Sequence, residues 1–172
     1  MLALIEVFFH ILTRRRGPED LPDSQFLLSI ALGAYVMAQA PVAALLYGWS
    51  GAALLAIMLD TALLALCFWL LLSFTRHLGR YRRTLTALLG TGALLALPQA
   101  PLVFFSKLAA ASGQAPIGAT VGLLALLFWS IMVQAHIASR ALSSNFGIGL
   151  AVALAYFLLS YQVSGQFSPA AG

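Results

Sequence analysis

Acidic residues, lysine and cysteine are all scarce in this chain. Five of its 172 residues are Asp or Glu, and charged residues make up 8% of the whole. A soluble domain carries about 25%, so most of this chain is unsuited to a water-exposed surface. The single cysteine, Cys67, excludes a disulfide framework or a Cys-based metal site within one chain. No nucleophile–base pair, phosphate-cradling glycine loop or pair of carboxylates is visible. The pI is near 9.7, yet no soluble module remains to bind nucleic acid. The sequence therefore predicts no enzyme, no cofactor and no nucleic-acid partner.

What is abundant is apolar length. Hydrophobic residues make up 62% of the chain, and the mean hydropathy is +0.96. A membrane-spanning helix needs about 20 mostly apolar residues. Five stretches qualify: Phe26–Trp49, Gly51–Phe74, Thr84–Phe105, Ile117–Ser139 and the shorter Phe146–Val163. Lipid requires backbone groups to be satisfied within each span. The expected fold is thus all-α, a polytopic membrane bundle of five transmembrane helices. Residues 1–25 form an amphipathic helix and linker, 26–163 the membrane domain and 164–172 a short tail.

The few charges are placed unevenly. Arg14, Arg15 and Arg16 precede the first span, Arg76, Arg80, Arg82 and Arg83 join the second to the third, and Arg140 follows the fourth. Lys107 alone falls on the other side. The positive-inside rule then predicts a cytoplasmic N-terminus and an external C-terminus. Heavy use of Arg, Ala and Leu suggests a bacterial genome rich in G and C, hence a bacterial inner membrane.

The opening segment, MLALIEVFFHILTRRR, is not patterned as a secretory signal, because its charges follow the apolar run. It is also too short to span. Glu6, His10 and Thr13 share one helical face. The helix either lies in the cytoplasmic interface, with its arginines near anionic head groups, or packs along the bundle; periodicity does not separate the two. Gly17-Pro18 is expected to break it, and Asp23 or Ser24 to cap the first span.

A gap-free offset of 60 aligns Gln39-Ala40-Pro41 with Gln99-Ala100-Pro101, Phe68-Trp69 with Phe128-Trp129, and Arg80 with Arg140. This pattern suggests a parallel repeat of a two-helix hairpin, with the fifth span added. Pro41 and Pro101 each remove a backbone donor and are expected to kink their spans. Gln39 and Gln99 are close enough to serve the freed carbonyls.

Asp60 is the one acid inside a span. It lies roughly 14 Å from the outer end of its span, at about 1.5 Å per residue. An ionised carboxylate there costs about 2.5–3.5 kcal/mol on insertion scales, so Asp60 faces the bundle. Expected neighbours are Gln39 and Gln99, or Thr61 and Thr91. Asp60, Gln39 and Gln99 form the candidate intramembrane polar site. It is either a proton or cation site or a hydrogen-bonded tie between helices. Arg76, Arg80, Arg82 and Arg83 form a basic cluster that either binds anionic lipid or only fixes topology. His10, His77 and His136 lack ligand spacing, so no metal site is expected. Gly118-x-x-x-Gly122 is a small-residue pair suited to close helix packing.

The segment GRYRRTLTALLGTGALLALPQAPL, with Trp129-Ser130, Ala135-His136 and the final span GIGLAVALAYFLLSY, resembles the Yip1-like membrane proteins of bacterial type. The resemblance is one of hydropathy and small residues over about 26–163. It implies a five-span, non-enzymatic scaffold or adaptor acting through membrane lipid, a protein partner or a homo-oligomer. It transfers no catalytic residue. The alternative from Asp60 and the proline-bearing spans is a small proton- or cation-linked transporter or channel.

Overall fold

The computed structural model describes residues 2–165. Its regular structure is helical, with no strand among those residues. Six α-helices follow one another: α1 Leu2–Leu12, α2 Gln25–Tyr47, α3 Gly51–Phe74, α4 Tyr81–Ala111, α5 Ile117–Ala141 and α6 Phe146–Gly165. Single 3₁₀ turns at Pro18–Asp20 and Leu78–Arg80 join α1 to α2 and α3 to α4. Helices α2 to α6 are long and apolar enough to cross a membrane. They run from about 30 to about 46 Å, against a hydrocarbon core of about 30 Å. Of the expected tail, α6 takes in 164 and 165, and the rest lies outside the described residues.

Local chemistry sets the boundaries. Ser24 caps α2, its hydroxyl accepting the Leu27 N–H at 3.3 Å and so satisfying one orphan donor of the first turn. Asp23 does not cap; it pairs with Arg82 at 4.0 Å. Gly48, at φ 75, ends α2 in a conformation that disfavours any Cβ. Helix α1 stops sooner than Gly17-Pro18 predicts. Arg14 enters the left-handed region at φ 60, and the N–H groups of Arg14, Arg15 and Arg16 turn back to the carbonyls of Ile11 and His10. This turn satisfies the helix end before the proline is reached. Pro18 instead opens the first 3₁₀ turn, where its missing N–H removes no bond.

Helix α4 is longer than the expected Thr84–Phe105 span. It begins at Tyr81, so Arg82 and Arg83 lie on its first turn instead of in a loop, and it carries Lys107 near its far end. It continues through Pro98 and Pro101, as α2 continues through Pro41.

Each spanning helix packs on two others, in the cyclic order α2, α4, α5, α6, α3 and back to α2. Helix α4 also touches α3 and α1, and every residue from Thr84 to Thr91 is buried. A helix apolar all round belongs inside. The hydroxyls of Thr84, Thr86 and Thr91 donate to the carbonyls of Arg80, Arg82 and Ala87, four residues back. They are thereby satisfied without water. Helix α5 approaches α6 closely at Gly149, where a Cβ would overlap the Ala135 carbonyl and lie 2.8 Å from Ser139 N. Of the Gly118-x-x-x-Gly122 pair, Gly122 sits against Leu102 of α4, where a Cβ would lie 2.9 Å from its Cδ2, and Gly118 faces open space.

Helix α1 packs on the bundle. Ile11 is fully buried, and the Phe8 ring sits against Gly90, where a Cβ would overlap it. The Trp129 indole N–H donates to the Leu12 carbonyl at 3.1 Å, and a His136 ring nitrogen meets the Arg16 carbonyl at 2.9 Å. Lateral packing on α4 and α5 therefore accounts for its apolar face. On the face shared by Glu6, His10 and Thr13, the His10 ring bonds to the Glu6 backbone carbonyl at 2.8 Å.

One offset-60 pair occupies unlike environments, while Gln39 and Gln99 line one cavity. Phe68 is buried against Tyr156, with ring centroids 6.5 Å apart, whereas Phe128 is exposed on the bundle surface.

Candidate functional site

The ring of five helices encloses a cavity of about 330 Å³, and each of the five contributes to its wall. Its polar lining has a simple sequence basis. Three helices each present two polar side chains four residues apart: Tyr35 and Gln39 on α2, Ser130 and Gln134 on α5, Tyr156 and Ser160 on α6. Residues at i and i+4 share one face of a helix. Helix α3 supplies Asp60 and α4 supplies Gln99. The rest of the lining is aliphatic or aromatic.

Asp60 is held by three hydroxyls from two other helices. Tyr35 donates to Oδ2; Tyr156 donates to Oδ1 at 3.1 Å and Ser160 to the same oxygen at 3.3 Å. A carboxylate is an acceptor with about four lone-pair sites, so all three donors can be satisfied at once. The described residues give Asp60 no cationic partner: the side-chain ion pairs are Arg82–Asp23 and Arg140–Glu19.

The tyrosines are positioned by packing. The Tyr35 ring lies against Gly92 of α4, where a Cβ would stand 2.7 Å from its Cε2. Tyr156 leans on Phe68 of α3. The pair Gly90 and Gly92 thus seats two aromatic rings on one buried helix, Phe8 from α1 and Tyr35 from α2.

Sequence reasoning placed Gln39 and Gln99 beside Asp60, and the cavity does bring all three to one wall. It gave the glutamines a different task, however. Neither is hydrogen-bonded to the carbonyls freed by Pro41 and Pro101. Thr61 and Thr91 are not partners of Asp60 either; both donate to their own helix, to Ile57 and Ala87 at 2.7 Å. The residues that do bind Asp60 were missed, and the repeated i, i+4 polar pairs within apolar spans were the signal that marks them. The Gln134 amide oxygen is buried with no donor. That oxygen is free to accept from a ligand's N–H or O–H group or to meet a cation.

On α2 the lining runs from Tyr35 to Tyr47, the last residue of that helix. The distance is about 18 Å at about 1.5 Å per residue. Tyr47 lies at the end of the bundle away from the arginines. The cavity thus leads from mid-bundle toward the arginine-poor end.

The predicted basic cluster is divided by the fold. Arg76, at φ 60, is exposed just beyond α3. Arg80 reaches across to α5 and donates to the carbonyls of Arg140 and Ala141 at 3.4 and 3.2 Å, and to the Ser143 hydroxyl. Arg82 pairs with Asp23, and Arg83 is partly buried. A cation at a helix C-terminus meets the negative end of its dipole, so part of the cluster holds helices together. Among the described residues no group of three His, Cys, Asp or Glu side chains is placed to hold a metal ion. The chain matches no protein-family model, no curated protein and no solved structure.

Proposed function

We propose that this chain is a small proton- or cation-linked transporter or channel in which Asp60 is the binding carboxylate. The observation that carries this reading is the cavity walled by all five spans, with the one intramembrane acid at its side. An acid within a bundle that has no cationic partner is a functional group by default. The buried, unpartnered Gln134 oxygen adds a second acceptor. The bias of its arginines supports a cytoplasmic N-terminus, and the Arg-, Ala- and Leu-rich composition supports a bacterial inner membrane; in that orientation the cavity faces outward.

A second reading rests on the three hydroxyls at Asp60. They tie α2 and α6 to α3 and need no ligand, as expected of hydrogen-bonded ties between membrane helices. That reading makes the chain a scaffold or adaptor of Yip1-like type, acting through lipid, a protein partner or a second copy.

Water access separates the two. With Cys67→Ala in place, Asp60→Cys is exposed to a membrane-impermeant thiol reagent from each side, with Lys107→Cys as the outside control. Labelling at 60 from the side opposite the arginines supports the transport reading. No labelling from either side, with Lys107→Cys reactive, removes it in favour of the scaffold.

A further inference from the structure

A second cavity, about 530 Å³, lies at the arginine-bearing end, where α4 begins and α5 ends. Its wall includes Arg80, Arg83 and Arg140 together with Glu19, Thr84 and Ser144. Glu19 is already paired with Arg140 at 3.4 Å. Three guanidinium groups against one carboxylate leave two positive charges unmatched.

Two donors in that wall have no acceptor. Arg83 Nε and Ser144 Oγ are both buried without a hydrogen-bond partner. Arg83 has no side-chain ion pair among the described residues. Buried donors are nearly always satisfied, and leaving one on a charged group is costly. The acceptors of the pocket do not meet the need. The Thr84 hydroxyl is turned back to the Arg80 carbonyl at 2.9 Å, and the Ser139 hydroxyl to the His136 carbonyl at 2.9 Å. What the pocket lacks is a compact group bearing several acceptor oxygens and negative charge. Guanidinium groups match phosphate oxygens in this way, with planar paired donors.

We infer that this cavity binds a phosphate group, with Arg83 and Ser144 as donors and Arg80 and Arg140 supplying the surrounding charge. The position, beside the ends of spanning helices, is open to two sources of that group: the head group of an anionic lipid or free phosphate. The proposal is independent of the Asp60 reading, since the two cavities share no lining residue.

The test is thermal stability of the purified protein in a neutral detergent. It is titrated in turn with inorganic phosphate, with short-chain phosphatidylglycerol and with the matching diacylglycerol, which lacks the phosphate. Stabilisation by phosphatidylglycerol but not by inorganic phosphate supports the lipid head group, and stabilisation by inorganic phosphate supports the free ion. No shift with either, or an equal shift with diacylglycerol, overturns the proposal. Arg83→Gln should weaken the effective ligand about tenfold or more, the loss of a charged hydrogen bond. Arg82→Gln, outside the wall and paired with Asp23, should stay within about twofold, as a surface ion pair contributes little. Equal losses in both would mean diffuse surface charge and end the pocket assignment. Should Arg83→Gln not fold, Ser144→Ala takes its place: a several-fold loss supports the site, and unchanged affinity overturns it.

Discussion

The Tyr156 hydroxyl donates to Asp60 Oδ1 over 3.1 Å, joining α6 to α3 across 96 residues of chain. Tyr156→Phe deletes that donor and keeps the ring against Phe68. Interhelical hydrogen bonds in membranes average about 0.6 kcal/mol and reach about 1.7, so the substitution should destabilise within that range. Asp60→Asn keeps one acceptor oxygen but turns an amide donor toward hydroxyls that also donate. The double variant should cost less than the two single costs together. Equilibrium unfolding in mixed micelles measures all four proteins, and strict additivity would mean that the two residues do not interact.

The number of spans and most of their limits were legible because both follow from apolar run length, which acts locally. Ser24 was legible as a cap for the same reason. The third span was read too short: Arg82 and Arg83 look like loop residues, yet the first turn of α4 holds them. A helix longer than the hydrocarbon core can carry charge at both ends without placing it in lipid. The site was half legible. Asp60 stood out as the lone acid inside a span, but its partners come from α2 and α6, and no local pattern pairs Tyr35 with Tyr156. Helix order around the ring decides that pairing. The same holds for close packing: of the Gly118-x-x-x-Gly122 pair only Gly122 is in close contact, against Leu102 of α4, and Gly149 is tighter still.

Gly92 tests how far the Asp60 site depends on α4. A Cβ there would lie 2.7 Å from Tyr35 Cε2 and 3.1 Å from Cδ2. Gly92→Ala should therefore push the ring off its seat, weaken the Tyr35–Asp60 bond and destabilise by about 1–3 kcal/mol, as overpacking does. Gly118→Ala, with nothing within 4 Å, should be neutral or gain up to about 1 kcal/mol in helix propensity. Unfolding of the two variants side by side separates packing from propensity. Equal stabilities would show that Tyr35 is not seated on Gly92.

Trp129 tests how α1 is held. Its indole N–H bonds to the Leu12 carbonyl at 3.1 Å, and Trp129→Phe removes that donor while keeping an aromatic ring. The expected cost is about 1 kcal/mol, concentrated in the docking of α1. Hydrogen exchange should rise for the α1 amides and stay level in α3. Uniform change across all helices would place Trp129 in global stability instead.

Arg82 and Lys107 stand on one helix, near opposite ends of α4. Their separation is about 37 Å at about 1.5 Å per residue, more than the hydrocarbon core of about 30 Å. Each can therefore reach water only on its own side. Arg82→Cys and Lys107→Cys, each with Cys67→Ala, are to be treated with an impermeant thiol reagent on intact cells and on inverted vesicles. The bias of arginines to one end predicts labelling at 107 in cells and at 82 in inverted vesicles. The reverse result would invert the orientation and turn the Asp60 cavity toward the cytoplasm. Labelling of both from one side would mean that α4, the most buried of the five long helices, does not span.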